Sequence, residues 1–172
     1  YIIVPAEVSS NMARYDGIKY GYSIIHNSKF QIQNLLDVYL KSRAKGLGAE
    51  VKRRIILGTY VLSSGYIDAY YKSAQRARDW IKSEFSKIFQ KYDVLLTPTS
   101  PTVAFKLKEK LADPLTMYLS DIFTVPVNIA SLPAVSVPAG KVGDLPVGIQ
   151  VIGPQMAEGK ILQVGAEIER IR

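Results

Sequence analysis

From Tyr66 to about Gln90 the apolar residues Ile67, Tyr70, Ala74, Ala77, Ile81, Phe85 and Ile88 recur at spacings of three and four. This predicts a long amphipathic helix with a core-facing stripe and Lys72, Arg76, Arg78 and Lys82 mostly around it. Two shorter helices precede it. Gln33 to Ala44 carries Leu35, Leu36, Tyr39 and Leu40 and is closed by Gly46 and Gly48. Glu50 to Ser63 follows, and at about 100° per residue Val51, Ile55, Gly58, Val61 and Leu62 fall on one side. Arg54 falls on the same side, between Val61 and Gly58, while Lys52 and Arg53 point elsewhere. Nearer the start, Tyr1 to Val4 reads as a strand and Ala6 to Arg14 as a short helix. Tyr15-Asp16-Gly17 is a turn signature, after which Gly17 and Gly21 frame an aromatic-rich loop.

Beyond the long helix the pattern shortens. Asp93 to Leu96 predicts a short buried strand, stopped by Thr97-Pro98-Thr99-Ser100-Pro101. Asp113-Pro114 is an N-cap followed by proline at the first helical position, opening a helix to about Thr124, before Pro126. Ala134 to Val137 and Val147 to Ile152 read as strands joined by a Gly-containing connection, and a last helix starts near Ala157. Helices and strands that interleave in this way predict an α/β fold, a mixed sheet flanked by helices. No internal repeat, low-complexity tract or flexible linker interrupts it.

Composition narrows the class. The chain has 172 residues, 48% hydrophobic and 22% charged, which suits a globular domain with a sizeable core. It opens on Tyr1, its first methionine is Met12, and the expectation is that an N-terminal part of a longer protein precedes it. No apolar run reaches the roughly 20 residues of a membrane span, so a soluble parent is expected. Cysteine is absent, which excludes disulfides and thiol catalysis and agrees with a cytoplasmic setting; with one histidine, His26, no metal site is expected. The net charge of +7 comes from two segments: Lys29 to Arg54 carries seven basic and two acidic residues, and Lys72 to Lys91 six against two. Such surfaces attract nucleic-acid phosphates or are the solvated faces of amphipathic helices.

Few residues offer chemistry. A guanidinium at Arg54, directed toward an apolar face, requires an anionic partner, either a bound carboxylate or an internal Asp or Glu. Asp121 is a second candidate, on the shoulder of its predicted helix beside Met117 and Val125. An arginine and an aspartate facing one cavity would hold the α-carboxylate and α-ammonium of a free amino acid. Ser9-Ser10 and Ser63-Ser64-Gly65 lack a positioned base, and the second set is explained by helix termination and capping. His26 has only Asp16 within ten residues as an acidic neighbour, which disfavours a triad. No catalytic residue is therefore expected, and the glycines carry no phosphate-loop or dinucleotide fingerprint.

Three segments, Glu7 to Gly21 (EVSSNMARYDGIKYG), Val51 to Tyr71 (VKRRIILGTYVLSSGYIDAYY) and Asp113 to Asp121 (DPLTMYLSD), resemble the amidase signature family. Within it they look like the C-terminal part of the glutaminase subunits of glutamyl-tRNA(Gln) amidotransferases. The resemblance implies that residues 1–172 are the C-terminal portion of a single α/β amidase signature domain. The family's Ser-cisSer-Lys triad hydrolyses the amide of glutamine, and the ammonia travels to a B subunit that converts Glu-tRNA(Gln) to Gln-tRNA(Gln) with ATP and Mg. A small C subunit clamps the two. The family's arginine and aspartate for the α-carboxylate and α-amino group of glutamine match Arg54 and Asp121. The triad belongs to the portion this chain lacks, so the resemblance implies substrate binding without turnover, no cofactor in this chain, and a tendency to self-associate. Three other readings fit the same residues: a fragment of a stand-alone amidase, a basic RNA-binding module, and an assembly segment.

Overall fold

The computed structural model describes residues 1–25, 29, 31–107, 109 and 113–171, so His26 lies outside the described residues. It divides into two compact units, Tyr1–Arg76 and Ala77–Arg172.

The first unit is helical. Helix α1, Ile3–Met12, packs against α3, Ala49–Val61; α2, Leu35–Gly46, lies between them in sequence. The strand expected over Tyr1 to Val4 is thus the first turn of a helix. Its β-branched residues favour extended backbone locally, but helix formation buries Ile3, Pro5 and Ala6 together. Pro5 is tolerated because amides in the first turn lack intrahelical acceptors. Of the glycines in the unit Gly58 is the most tightly packed: an added Cβ would stand 1.9 Å from the Pro5 carbonyl oxygen. Burial on α3 follows the expected side, with Gly58 and Val61 buried and Val51, Ile55 and Leu62 half-buried. Helix α2 opens on a reciprocal cap: the Asn34 side chain accepts from the Asp37 amide at 2.9 Å, and Asp37 accepts from the Gln33 amide at 3.0 Å.

The long helix begins with a π-helical turn, Ile67–Tyr71, and continues as α4, Lys72–Phe89. Ser63-Ser64-Gly65 separates it from α3 as expected, with Gly65 at φ +87° and the Ser63 hydroxyl donating to the Tyr60 carbonyl. Its stripe is less covered than the periodicity predicts: Ala74, Ile81 and Phe85 are half-buried, whereas Tyr70, Ala77 and Ile88 are exposed.

The second unit is built on an antiparallel three-stranded sheet, order β1-β3-β2, from β1 Leu95–Pro98, β2 Ala134–Val142 and β3 Leu145–Ile152. Strand β1 starts two residues later than expected and is not buried, because it is an edge strand; Pro98 fits there, where a missing N–H breaks no ladder. Strand β2 runs five residues further than expected, through an irregularity between Pro138 and Gly140, and meets β3 in a two-residue Gly143-Asp144 turn. Gly143 has φ +60°, as a type II′ hairpin requires at its first central position.

Helix α7, Glu158–Ile171, covers one face of β2 and β3. Gly165 sits over Val135 and Val137, and Ile161, Val137 and Val151 are buried, each side chain contributing about 1.5–3 kcal/mol. The short helices α5, Pro114–Leu119, and α6, Val125–Ile129, complete the unit. Asp113 caps α5, accepting from the Leu115 amide at 3.0 Å. The single helix expected to about Thr124 is a correction: α5 ends five residues earlier, and residues 120–124 form successive turns that lead into Pro126 at the start of α6.

Candidate functional site

Arg54 lies on α3 of the first unit and Asp121 in the turn after α5 of the second. Arg54 is half-exposed, its side chain 42% accessible, and its Nε donates to Glu50 Oε1 one turn earlier at 2.8 Å. Glu50 also takes a fork from Arg53, Nε to Oε2 and Nη2 to Oε1, both at 2.8 Å. Two guanidiniums, Arg53 foremost, hold the Glu50 carboxyl down at about 2. The internal partner considered for Arg54 is therefore real, but it occupies one edge only. The terminal nitrogens of Arg54 have no partner among the described residues, which leaves its Nη1–Nη2 edge, one of the two guanidinium edges that can take a carboxylate bidentately.

Asp121 stands beyond the end of its helix rather than on its shoulder, and it is exposed. Its backbone carbonyl accepts from the amides of Thr124, 3.1 Å, and Val125, 3.0 Å, so the turn is fixed while the carboxylate has no hydrogen-bond partner among the described residues. The turn is anchored by Gln150, 5% exposed on the central strand. Its Nε2 donates to the Phe123 carbonyl at 3.1 Å and to Thr97 Oγ1 at 3.0 Å. Thr97, Ser136 and Gln150 are register partners, so all three lie on one face of the sheet, opposite Val135, Val137 and Val151. Thr99 and Ser136 share a hydroxyl hydrogen bond of 2.7 Å beside Gly148. This polar row was not singled out from sequence; the Thr97-Pro-Thr-Ser-Pro run and an isolated Gln in an apolar strand were its signals. A cleft of about 910 Å³ opens along the Thr97 to Phe105 segment and the β2–β3 hairpin.

Ser9 and Ser10 both donate to the Ala6 carbonyl, at 2.8 and 3.3 Å, which makes them helix-backbone donors. Among the described residues no three His, Asp or Glu side chains gather in a way that would hold a metal ion, and no helix is long and apolar enough to cross a membrane.

The helical unit, the antiparallel sheet and the sequence segments converge on one family. The amidase family model matches residues 1–162, and the chain belongs to that family. It is 57% identical over 170 residues to the A subunit of the glutamyl-tRNA(Gln) amidotransferase of Caldanaerobacter subterraneus subsp. tengcongensis, covering 99% of this chain and 34% of that protein. The crystal structure of the corresponding A subunit of glutamyl-tRNA(Gln) amidotransferase from Thermotoga maritima superposes with a TM-score of 0.54 at 49% identity, over 73% of this chain and 28% of that one. A crystal structure of an amidase, 24% identical with a TM-score of 0.60 over 79% of this chain and 31% of that one, shares the fold. The α/β class expected from the interleaved pattern is thus the amidase signature fold, and the chain spans about a third of the length of the curated relatives it matches.

Proposed function

We propose that this chain is the glutamine-recognising portion of a glutaminase subunit that supplies ammonia for converting Glu-tRNA(Gln) to Gln-tRNA(Gln). The observation that carries the reading is the 57% identity, across 99% of the chain, to the A subunit of one such amidotransferase. Arg54, with its terminal nitrogens unoccupied, takes the α-carboxylate of glutamine, and Asp121, with an unpaired carboxylate on a braced turn, takes the α-ammonium. The nucleophile comes from the remaining portion of the domain, so residues 1–172 alone bind weakly and release no ammonia. In the assembled cytoplasmic enzyme the B subunit uses ATP and Mg²⁺ to activate Glu-tRNA(Gln), and a C subunit joins the two.

The test is ammonia release from glutamine by the 172-residue chain, with intact mass checked on the same sample, and then after joining it to the N-terminal portion of the Thermotoga maritima relative. No release from the chain and restored release from the joined protein are expected. In the joined protein Arg54→Ala lowers kcat/KM for glutamine by roughly 10–100-fold, the value of a charge-assisted hydrogen bond. A primary amide lacking the α-carboxylate is affected far less; equal losses for both amides would overturn the assignment of Arg54.

A further inference from the structure

Gln150 is a buried polar residue in the middle of an apolar strand, followed by Val151 and Ile152, both buried. A buried side-chain amide yields little net stability over an apolar residue of the same size, even with its hydrogen bonds made. Its use therefore lies in what it holds in place. The Phe123 carbonyl can only accept, which fixes the orientation of the amide: Nε2 donates one proton to that oxygen and the other to Thr97 Oγ1. The backbone beneath is held from both sides, since Gln150 pairs with Thr97 on β1 and with Ser136 on β2. Gln150 is thus a short post rising from the centre of the sheet.

The post meets the chain two residues from Asp121, where the packing is one-sided. Toward α6, Val127 and Ala130 are buried; toward α5, Leu115, Leu119 and Ile122 are all exposed, and Asp121 lies on this open side. The bonds from the Thr124 and Val125 amides to the Asp121 carbonyl join the turn only to itself. They would let it swing as one body. The bond from Gln150, 27 residues away in sequence, ties the turn to the sheet instead. The Asp121 carboxylate makes no hydrogen bond of its own among the described residues, so the backbone of this turn decides where it stands.

We propose that Gln150 is a positioning residue for substrate selectivity: through the Phe123 carbonyl it sets the place of the Asp121 carboxylate, and so how well a substrate with an α-ammonium is told from one without. This rests on the assignment of Asp121 to the α-ammonium of glutamine. A carboxylate displaced by about 1 Å loses a charge-assisted hydrogen bond. The α-ammonium is remote from the amide that reacts, so the loss falls on KM rather than on kcat.

The test is ammonia release by the chain joined to the N-terminal portion of the Thermotoga maritima relative, from glutamine and from 4-carbamoylbutanoate. The second compound keeps the amide and the carboxylate and lacks the α-amino group. Gln150→Leu raises KM for glutamine about tenfold with kcat within about twofold, and leaves 4-carbamoylbutanoate unchanged. Both amides are read on one sample, so a smaller folded fraction does not alter their ratio. Gln150→Met, which keeps an unbranched stem, behaves the same way, so the outcome does not hang on how leucine packs. Thr97→Val removes the other bond of the same amide and keeps the one to Phe123; it lowers stability but not the ratio. In an Asp121→Ala background Gln150→Leu changes the ratio no further. A ratio unchanged by Gln150→Leu and Gln150→Met, an equal change in Thr97→Val, or an undiminished loss in the Asp121→Ala background would each overturn the proposal. Asp121→Ala alone checks the site beneath it. If that variant affects both amides alike, the assignment of Asp121 fails and the proposal with it; if it is selective while Gln150→Leu is not, only the positioning role fails.

Discussion

Gly58→Ala puts the contact between α1 and α3 to a direct test. The new Cβ would lie 1.9 Å from the Pro5 carbonyl oxygen, 2.5 Å from the Pro5 carbonyl carbon and 2.9 Å from Ser9 Cβ. Two of the three are backbone atoms, so no side-chain rotation relieves the overlap, and α1 must retreat by roughly 1 Å at this point, partly uncovering Ile3, Pro5 and Ala6. Overpacking of this kind costs about 1–3 kcal/mol, and a clash with backbone belongs at the upper end. Alanine gains about 1 kcal/mol over glycine within a helix, which leaves a net loss of roughly 2 kcal/mol. For a chain of this length that lowers Tm by about 4–8 °C. Gly159→Ala is the matched control, since nothing lies within 4 Å of its added Cβ, and it gains up to about 1 kcal/mol from propensity alone. Urea titration followed by far-UV circular dichroism reads both. A Gly58→Ala midpoint at or above that of the parent chain would refute the close approach of the two helices.

Three further outcomes follow from the hydrogen bonding. Glu50 is depressed from 4.5 to about 2, so the stabilisation from its arginine fork is complete above about 4.5 and is lost as pH falls toward 2; Glu50→Gln should remove that part of the acid titration of helicity, and an unchanged acid limb would count against it. Gln150→Leu strands the Phe123 carbonyl and costs about 1–3 kcal/mol, with faster hydrogen exchange at Thr124 and Val125; unaltered protection there would show that Gln150 does not brace the Asp121 turn. Tyr60 is raised from 10.0 to about 12, first by its hydrogen bond with Tyr66, so its contribution holds below pH 10 and is lost as pH rises through 12; Tyr66→Phe should let it ionise nearer 10, and NMR titration showing no change would exclude the bond.

Capping chemistry and helical periodicity were the parts of the fold that the chain announces. Asp113 acts where its residue type places it, whereas Asn34, inside the helix expected from Gln33, is instead the residue that caps it; the wheel of α3 anticipates the burial of Gly58 and Val61. What failed were local preferences overridden by packing: β-branched residues at the start joined a helix because α3 offers them cover, and the segment after Leu119 broke into turns ahead of Pro126. The wheel also put Arg54 on the inner side of α3 but could not foresee that Glu50, one turn earlier, would take one edge of it. The polar row on the sheet was hidden for a different reason. Thr97, Ser136 and Gln150 are far apart in sequence, and only strand register makes them neighbours.

The order of strands in the sheet also bears on how the chain emerges during synthesis. Strand β1 has no partner until β3 appears, because Leu95 pairs with Ile152 and the sheet has β3 at its centre. At about 5–20 residues per second the intervening segment takes roughly 3–11 s to translate. The contact between α1 and α3, by contrast, is complete once Val61 has emerged. The helical unit therefore has time to form first, while Leu95 and Leu96 wait on an open edge, which makes that interval the one in which a chaperone would find the most to hold.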